Sequence, residues 1–283
     1  MDSVLKRYLF LIPVAILLGL IVFYPVLRCA GLSFTTHDGL GFGNYARAFG
    51  DARLAATLWN TTVFTVFSLV LEIILGLALA LCINVSFRGR GIVRAIVLIP
   101  WALPPAVMAL GWTWIFNDVY GVASDILYRT GLASEKIAWL ATPGKAMLSL
   151  VIADVWKTTP FVAIILLAGL QSIPKSLYEA AAIDGAGPVR RFFMITLPLL
   201  RPHLLLAVLF RGIQAFGVFD LIWVMTRGGP AGSTETISLY IYRIIYGYLN
   251  PGYAAALTII AFLILLAVAV IISILNRRQH ELA

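Results

Sequence analysis

An all-α integral membrane protein that crosses the bilayer six times is the fold class predicted by three observations. Hydrophobic residues make up 61% of the chain and charged residues only 12%, about half of the roughly 25% charged content of soluble domains. Apolar runs of about 20 residues, the length that spans hydrocarbon, recur near residues 8 to 34, 57 to 84, 92 to 117, 146 to 170, 199 to 226 and 252 to 275. Lys and Arg gather in the short connections between these runs, where they orient helices. The formal charge of +8 is therefore a topology signal; membrane lipid is the expected surrounding and no nucleic acid is expected as a partner.

Each element follows in order. The first run is preceded by Lys6 and Arg7, but it is long and no small-residue cleavage pattern follows, so it is expected to be a retained span and not a leader. Cys29 and Cys82 lie far apart at or near run ends and read as ordinary membrane residues, neither a metal motif nor a disulfide framework. Pro100, Pro104 and Pro105 are expected to distort the third span, as a gating hinge or as a bent wall. Trp59, Trp112, Trp114 and Trp139 read as interface anchors or packing. Under this count Lys6, Arg7, Arg88, Arg90, Arg94, Lys175, Arg190, Arg191, Arg201, Arg277 and Arg278 fall on one side, which places both termini in the cytoplasm. Basic residues in the opposite loops are offset by Asp38, Asp51, Asp118, Asp125 and Glu135.

The connection after the fourth run is the most informative segment. Glu179-Ala180-Ala181-Ala182-Ile183-Asp184-Gly185-Ala186-Gly187 is small, polar and turn-punctuated between two oily stretches. Ser176 and Glu179 have the spacing of a capping box, so a short helix is expected to begin just after Ser176 and run to about Asp184. Gly185 and Gly187 end it, and Pro188 suits the first position of a second helix, before Pro198 admits the next span. Three alanines strip bulk from one helix, so its backbone can approach a partner closely while Glu179 stays free to bond. The alternative is a plain connecting loop.

This pattern resembles the permease subunits of binding-protein-dependent ABC importers. Their EAA loop, Glu-Ala-Ala, Asp-Gly-Ala, an aromatic and Ile-x-Leu-Pro, is matched by Glu179 to Ala181, Asp184 to Ala186, Phe192 and Phe193, and Ile195 to Pro198. Phe42-Gly43-Asn44-Tyr45 and Thr226-Arg227-Gly228-Gly229-Pro230 extend the resemblance from residue 42 onward and point to the MalF/UgpA-like carbohydrate branch. The resemblance implies the type I importer permease (MetI-like) fold in a multi-pass protein of the inner (plasma) membrane. Residues 1–56 would form the first helix and a periplasmic loop, and 57–283 a five-helix core with its coupling loop at 171–198. It implies a second homologous permease, two copies of a cytoplasmic ABC ATPase and an extracytoplasmic substrate-binding protein as partners. Glu179, Ala180, Ala181, Asp184, Gly185 and Ala186 would couple the chain to the ATPase. No phosphate-loop sequence G-x-x-x-x-G-K-[ST] occurs, so no cofactor, metal or catalytic residue is expected in this chain, which is not expected to be an enzyme; ATP and Mg would bind the partner ATPase.

The substrate path is sought among charges inside the spans, which cost at least ~2.5 kcal/mol each in lipid and usually face a cavity or a partner. Asp154 and Lys157 are three residues apart and share a helix face, as do Arg211 and Gln214, with Asp220 beyond. In MalF-like permeases the corresponding stretches contribute to a sugar site. The resemblance thus places Asp154, Lys157, Gln214 and Asp220 around a cavity, with Phe216 and Trp223 as stacking surfaces for a sugar ring. The structural alternative pairs Lys157 with Asp154, and Arg211 with a carboxylate such as Glu72, as helix-packing ion pairs. A sugar or oligosaccharide is the expected solute, and glycerol-3-phosphate or a related phosphodiester is the rival, since Lys157 or Arg211 suits phosphate.

Two other classes fit less well. A membrane enzyme needs a catalytic constellation, but His37, His203 and His280 are scattered with no metal-ligand spacing. A secondary transporter is expected to show paired interrupted helices in two repeated halves, and the sequence contains no such repeat.

Overall fold

The computed structural model describes residues 12–36, 39–86 and 88–280. Lys6, Arg7, His37 and Asp38 lie outside the described residues, and of Arg277, Arg278 and His280 only the helical backbone is described. In chain order the elements are α1 (Ile12–Ser33), β1 (Thr35–Thr36), β2 (Gly39–Leu40), α2 (Gly43–Phe49) and α3 (Ala52–Ile83). Next come α4 (Arg90–Ala102), α5 (Pro105–Ile115), α6 (Val122–Arg129), α7 (Pro143–Ser172) and α8 (Lys175–Ile183). The last four are α9 (Pro188–Phe216), α10 (Asp220–Met225), α11 (Ile237–Tyr246) and α12 (Pro251–His280). Five helices, α1, α3, α7, α9 and α12, are each long and apolar enough to cross a membrane, and α4 with α5 makes a sixth span as a pair bent by 85°. That bend falls at Leu103 and Pro104, both in extended conformation, because a residue before proline is driven out of the α region.

Contacts group the chain into two units. One comprises the residues up to Ala55 together with Tyr240–Leu266, and the other Ala56–Leu239 together with the residues from Ala267 onward. In the first unit, β1 and β2 pair as a short antiparallel hairpin between α1 and α2. Asn44, in the Phe42–Tyr45 motif, is buried and donates to the carbonyls of Ser33 (3.0 Å) and Thr35 (2.8 Å), which fastens α2 to the end of α1. Asp51 caps α3 by accepting from the backbone N–H groups of Arg53 and Leu54. It also accepts from the hydroxyls of Tyr240 (2.6 Å) and Tyr253 (2.5 Å), while the Arg47 guanidinium lies 4.1 Å above the Tyr253 ring. Burial acts to raise the Asp51 carboxyl, but these four hydrogen bonds outweigh it and hold the group below the usual aspartate value. Burial first, then the same carboxylate, pushes the Tyr240 phenol up to about 12.

In the second unit α7 is the central helix, with α4 and α9 packed against it. The core joins Ala80 and Ile83 of α3, Val162, Ala163, Leu166 and Leu170 of α7, and Leu200 and Ala207 of α9. Two glycines permit this closeness. A Cβ on Gly76 would lie 2.6 Å from Cγ1 of Val162, and one on Gly169 would lie 2.6 Å from Cγ of His203. Small residues at such crossings let backbones approach where apolar lipid supplies no hydrophobic drive to association.

Three expectations about boundaries are corrected. The capping box at Ser176 does not form: α8 starts two residues earlier, at Lys175, with Pro174 as its N-cap and no side-chain cap, since the fixed proline already sets the turn out of α7. Pro198 does not begin the fifth span, which is continuous from Pro188. The backbone widens to a π turn over Phe192–Thr196, where the Leu197 N–H reaches back to the Phe192 carbonyl, and this accommodates the ring that would otherwise strike the preceding turn. The same span ends at Phe216 and not near 226, because the chain breaks at Gly217 before α10 resumes at Asp220.

Candidate functional site

Two places in the second unit combine exposed polarity with defined geometry. The first is a cavity of about 300 Å³ lined by residues of α4, α5, α7, α9, α10 and the α9–α10 break, among them Trp101, Asp154, Lys157, Gln214, Phe219 and Asp220. Asp154, Lys157 and Thr158 are presented on one face of α7 by their spacing, and each is buried. Arg211, only 3% exposed, projects from α9 into this cluster. Its Nε donates to Glu72 Oε2 at 2.6 Å and its Nη2 to Glu72 Oε1 at 2.7 Å and Asp154 Oδ2 at 2.9 Å. Its Nη1 donates to Gln214 Oε1 at 3.1 Å. The Thr158 hydroxyl lies 2.6 Å from Glu72 Oε1 and from the Asp154 carbonyl, donating to one at a time. Glu72 is fully buried, so the fork-on-fork pairing is what makes a carboxylate tolerable there.

The pairing of Arg211 with Glu72 matches the structural alternative raised from the sequence, and Asp154 joins it. Lys157 departs from that alternative: its Nζ donates to the Trp101 carbonyl at 3.0 Å and not to Asp154. The reason is the bend between α4 and α5, since a break in a helix releases backbone carbonyls that need donors. Lys157 thereby fastens the bent pair to α7.

Of the residues expected around the solute, Asp154, Lys157, Gln214 and Asp220 come together on this one cavity. Phe216 is buried at 9% exposure and is not among the lining residues, and Trp223 is stacked on Phe219 with centroids 6.1 Å apart and planes at 10°. The aromatic rings that do line it are Trp101 and Phe219, and Trp101 is braced from behind by Phe161 at 5.4 Å and 12°. Sequence reasoning missed both. Their signals were the neighbouring breaks, Pro100 with Pro104 for Trp101 and Gly217 for Phe219. Gln214 is exposed and its amide oxygen is held by Arg211, which leaves its NH₂ donors for another partner. Asp220 is exposed and has no ion pair or side-chain hydrogen bond among the described residues.

The second place is the α7–α9 connection. Glu179 and Ala180 are exposed on α8, together with Leu177 and Ile183, the last at 88%. The helix ends in a Schellman motif: the Ala186 N–H reaches the Ala181 carbonyl at 2.8 Å and the Gly185 N–H the Ala182 carbonyl at 3.1 Å. Gly185 has φ +75, the left-handed conformation that this cap requires and that glycine adopts without strain. Tyr178 turns the other way, its hydroxyl 2.9 Å from that of Thr196, so α8 is tied to the π turn of α9. Ala181, Asp184, Ala186, Arg190 and Arg191 line a shallow hollow of about 210 Å³ beside it. Beyond α10, the Thr226–Pro230 motif forms a tight loop, with the Thr234 hydroxyl donating to the Gly229 carbonyl at 2.7 Å and Asn60 donating to the carbonyls of Gly232 (3.0 Å) and Glu235 (3.1 Å).

A set of apolar spans enclosing a charged, aromatic-lined cavity, with a small-residue helix displayed on the connection between two of the lining helices, defines a multi-pass membrane permease. The chain belongs to the family described as binding-protein-dependent transport system inner membrane component, whose model matches residues 72–281. It is an inner-membrane protein and the permease component of an ABC importer. It is 42% identical to the sulfoquinovosyl glycerol transport system permease protein SmoG of Agrobacterium fabrum, over 94% of this chain and 89% of that one. It is 41% identical to the trehalose/maltose transport system permease protein MalF of Thermococcus litoralis, over 97% and 94%. A chain of the bacterial alginate ABC transporter, solved with its alginate pentasaccharide-bound periplasmic protein, superposes with a TM-score of 0.83 at 25% identity, covering 97% of this chain and 94% of that one.

Proposed function

We propose that this permease imports a sugar or oligosaccharide by alternating access through the cavity bounded by α5, α7 and α9. A second, homologous permease completes the other wall, two copies of a cytoplasmic ABC ATPase drive the pair, and an extracytoplasmic binding protein delivers the solute. Residues 57–283 form the five-helix core, residues 1–56 the first helix and outer loop, and both termini face the cytoplasm. Glu179, Ala180, Ala181, Asp184, Gly185 and Ala186 dock the ATPase, which alone binds ATP and Mg; this chain is not an enzyme and holds no cofactor.

The observation that carries the reading is the lining of the cavity: a carboxylate at Asp220 and the amide of Gln214 beside the rings of Trp101 and Phe219. Hydroxyl groups both donate and accept, and sugar rings present apolar C–H faces, so this is the complement a sugar needs. The relatives named for trehalose, maltose and sulfoquinovosyl glycerol support the same solute class. The exposed α8, with its backbone unobstructed by the alanines, supports the docking role.

The test is substrate-stimulated ATPase activity of the reconstituted complex across disaccharides, oligosaccharides and glycerol-3-phosphate, with Glu179→Ala beside the native chain. Stimulation by a sugar, weakened by the substitution, is expected. Stimulation only by the phosphate ester overturns the solute class, and an unaffected variant overturns the docking role.

A further inference from the structure

The relatives and structural neighbours named for their solutes include transporters of trehalose and maltose and of an acidic polysaccharide. The shared fold therefore does not decide the charge of the solute, and the residues that face the cavity must. Resting on the reading of that cavity as the solute site, we propose that Asp220 is a specificity-determining residue that makes the path select neutral polyhydroxyl solutes over anionic ones of the same size.

Arg211 is committed to its neighbours, and Lys157 in part. Arg211 gives its Nε and Nη2 to Glu72 and Asp154 and its Nη1 to Gln214. Lys157 gives its Nζ to the Trp101 carbonyl, and both side chains are at least nine-tenths buried. An anion entering the cavity finds Arg211 committed, and drawing it away would leave two buried carboxylates without their donor; Lys157 keeps donors beyond the one given to Trp101, so the balance of charge over the whole lining decides. Against these two cations stand three carboxylates, Glu72, Asp154 and Asp220, of which Arg211 holds the first two. The remaining negative charge sits on Asp220, exposed at the break between α9 and α10 and without an internal partner among the described residues. A carboxylate accepts from hydroxyls and repels a carboxylate or phosphate, most strongly where apolar walls lower the local dielectric. Such a repulsive element is one of the two routes by which a site rejects a competitor that matches in shape.

The experiment measures direct solute binding to the assembled permease–ATPase complex without its binding protein, through the fluorescence of Trp101 in the cavity, identified by its loss in Trp101→Phe. The probes are maltose and trehalose against maltose and trehalose carrying a 6-phosphate. The native complex is expected to bind the neutral form at least tenfold more tightly. Asp220→Asn is expected to shrink that ratio to below about threefold, and Asp220→Glu to preserve it. A purely structural role for Asp220 would weaken both forms together and leave the ratio in place. An unchanged ratio in Asp220→Asn, or a native complex that prefers the phosphate ester, overturns the proposal while leaving the cavity reading intact. A native complex that binds neither form at Trp101 overturns the cavity reading and the proposal with it.

Discussion

Replacing Arg211 by Met removes the one cation that serves two buried carboxylates. Three charge-assisted hydrogen bonds, at 2.6, 2.7 and 2.9 Å, are lost, and Glu72 and Asp154, at 0% and 7% exposure, face each other without it. Removing one partner of such a cluster costs about 3–5 kcal/mol, which is roughly two to nearly four powers of ten in the folding equilibrium. Most of that cost is the uncompensated charge and not the lost attraction, so neutralising the whole cluster must give most of it back. The triple variant Glu72→Gln, Asp154→Asn, Arg211→Met is therefore expected to lie within ~2 kcal/mol of the native chain. The assay is detergent-titrated unfolding of the purified complex, followed by the loss of helical circular dichroism, with the native, single and triple variants run side by side. A single variant of native stability, or a triple variant as damaged as the single one, would refute this account of the cluster.

Two further predictions rest on packing and on protonation. Gly76→Ala places a methyl group 2.6 Å from Cγ1 and 2.9 Å from Cβ of Val162, a β-branched neighbour that cannot turn away, and is expected to cost about 1–3 kcal/mol. Combining it with Val162→Ala should recover most of that loss, and additive losses in thermal unfolding would count against the close contact. Asp51 sits below its ordinary value, so its contribution to the first unit is complete above about pH 3.9 and fades as pH falls through its lower folded value; Asp51→Asn should remove that acid sensitivity. Tyr240, pushed up to about 12, has the opposite sign: its contribution is complete below about pH 10 and fades as pH rises through the raised value. Ultraviolet titration of tyrosinate should show Asp51→Asn bringing the Tyr240 phenol part of the way back, and an unmoved titration would contradict the hydrogen bond.

The spans were legible because crossing hydrocarbon demands an unbroken apolar run, and sequence displays that directly. Their ends were less so. The residues from Gly217 to Met225 remain oily, so nothing in hydropathy marks the point where α9 stops and α10 turns away; only Gly217 hints at it. The three prolines announced a distorted third span, but its 85° angle depends on how Trp101 and Phe161 stack and on Lys157 reaching a freed carbonyl, which are contacts distant in sequence. In the α7–α9 connection the short helix, its glycine cap at Gly185 and the Pro188 start were read from the sequence, since alanine, glycine and proline act locally. The capping box failed because Pro174 competed for the same turn. In the cavity the charged residues were found by their cost in lipid, whereas Trp101 and Phe219 carry no such cost and blended into the apolar background.

The shared cluster of Glu72, Asp154 and Arg211 also constrains how the chain is made. Its members arrive at the ribosome exit in that order, and Arg211 follows Asp154 by 57 residues and Glu72 by 139. At synthesis rates of ~5–20 residues per second the first carboxylate waits about 7–28 s for its cation and the second about 3–11 s. A carboxylate released alone into lipid for that time either bears the insertion cost of its charge or takes up a proton, and only the arrival of α9 supplies the cation that lets both stay ionised. Completion of the cluster is thus a late step in synthesis, and a chain truncated before Arg211 leaves Glu72 and Asp154 without the cation that bonds them in the finished fold.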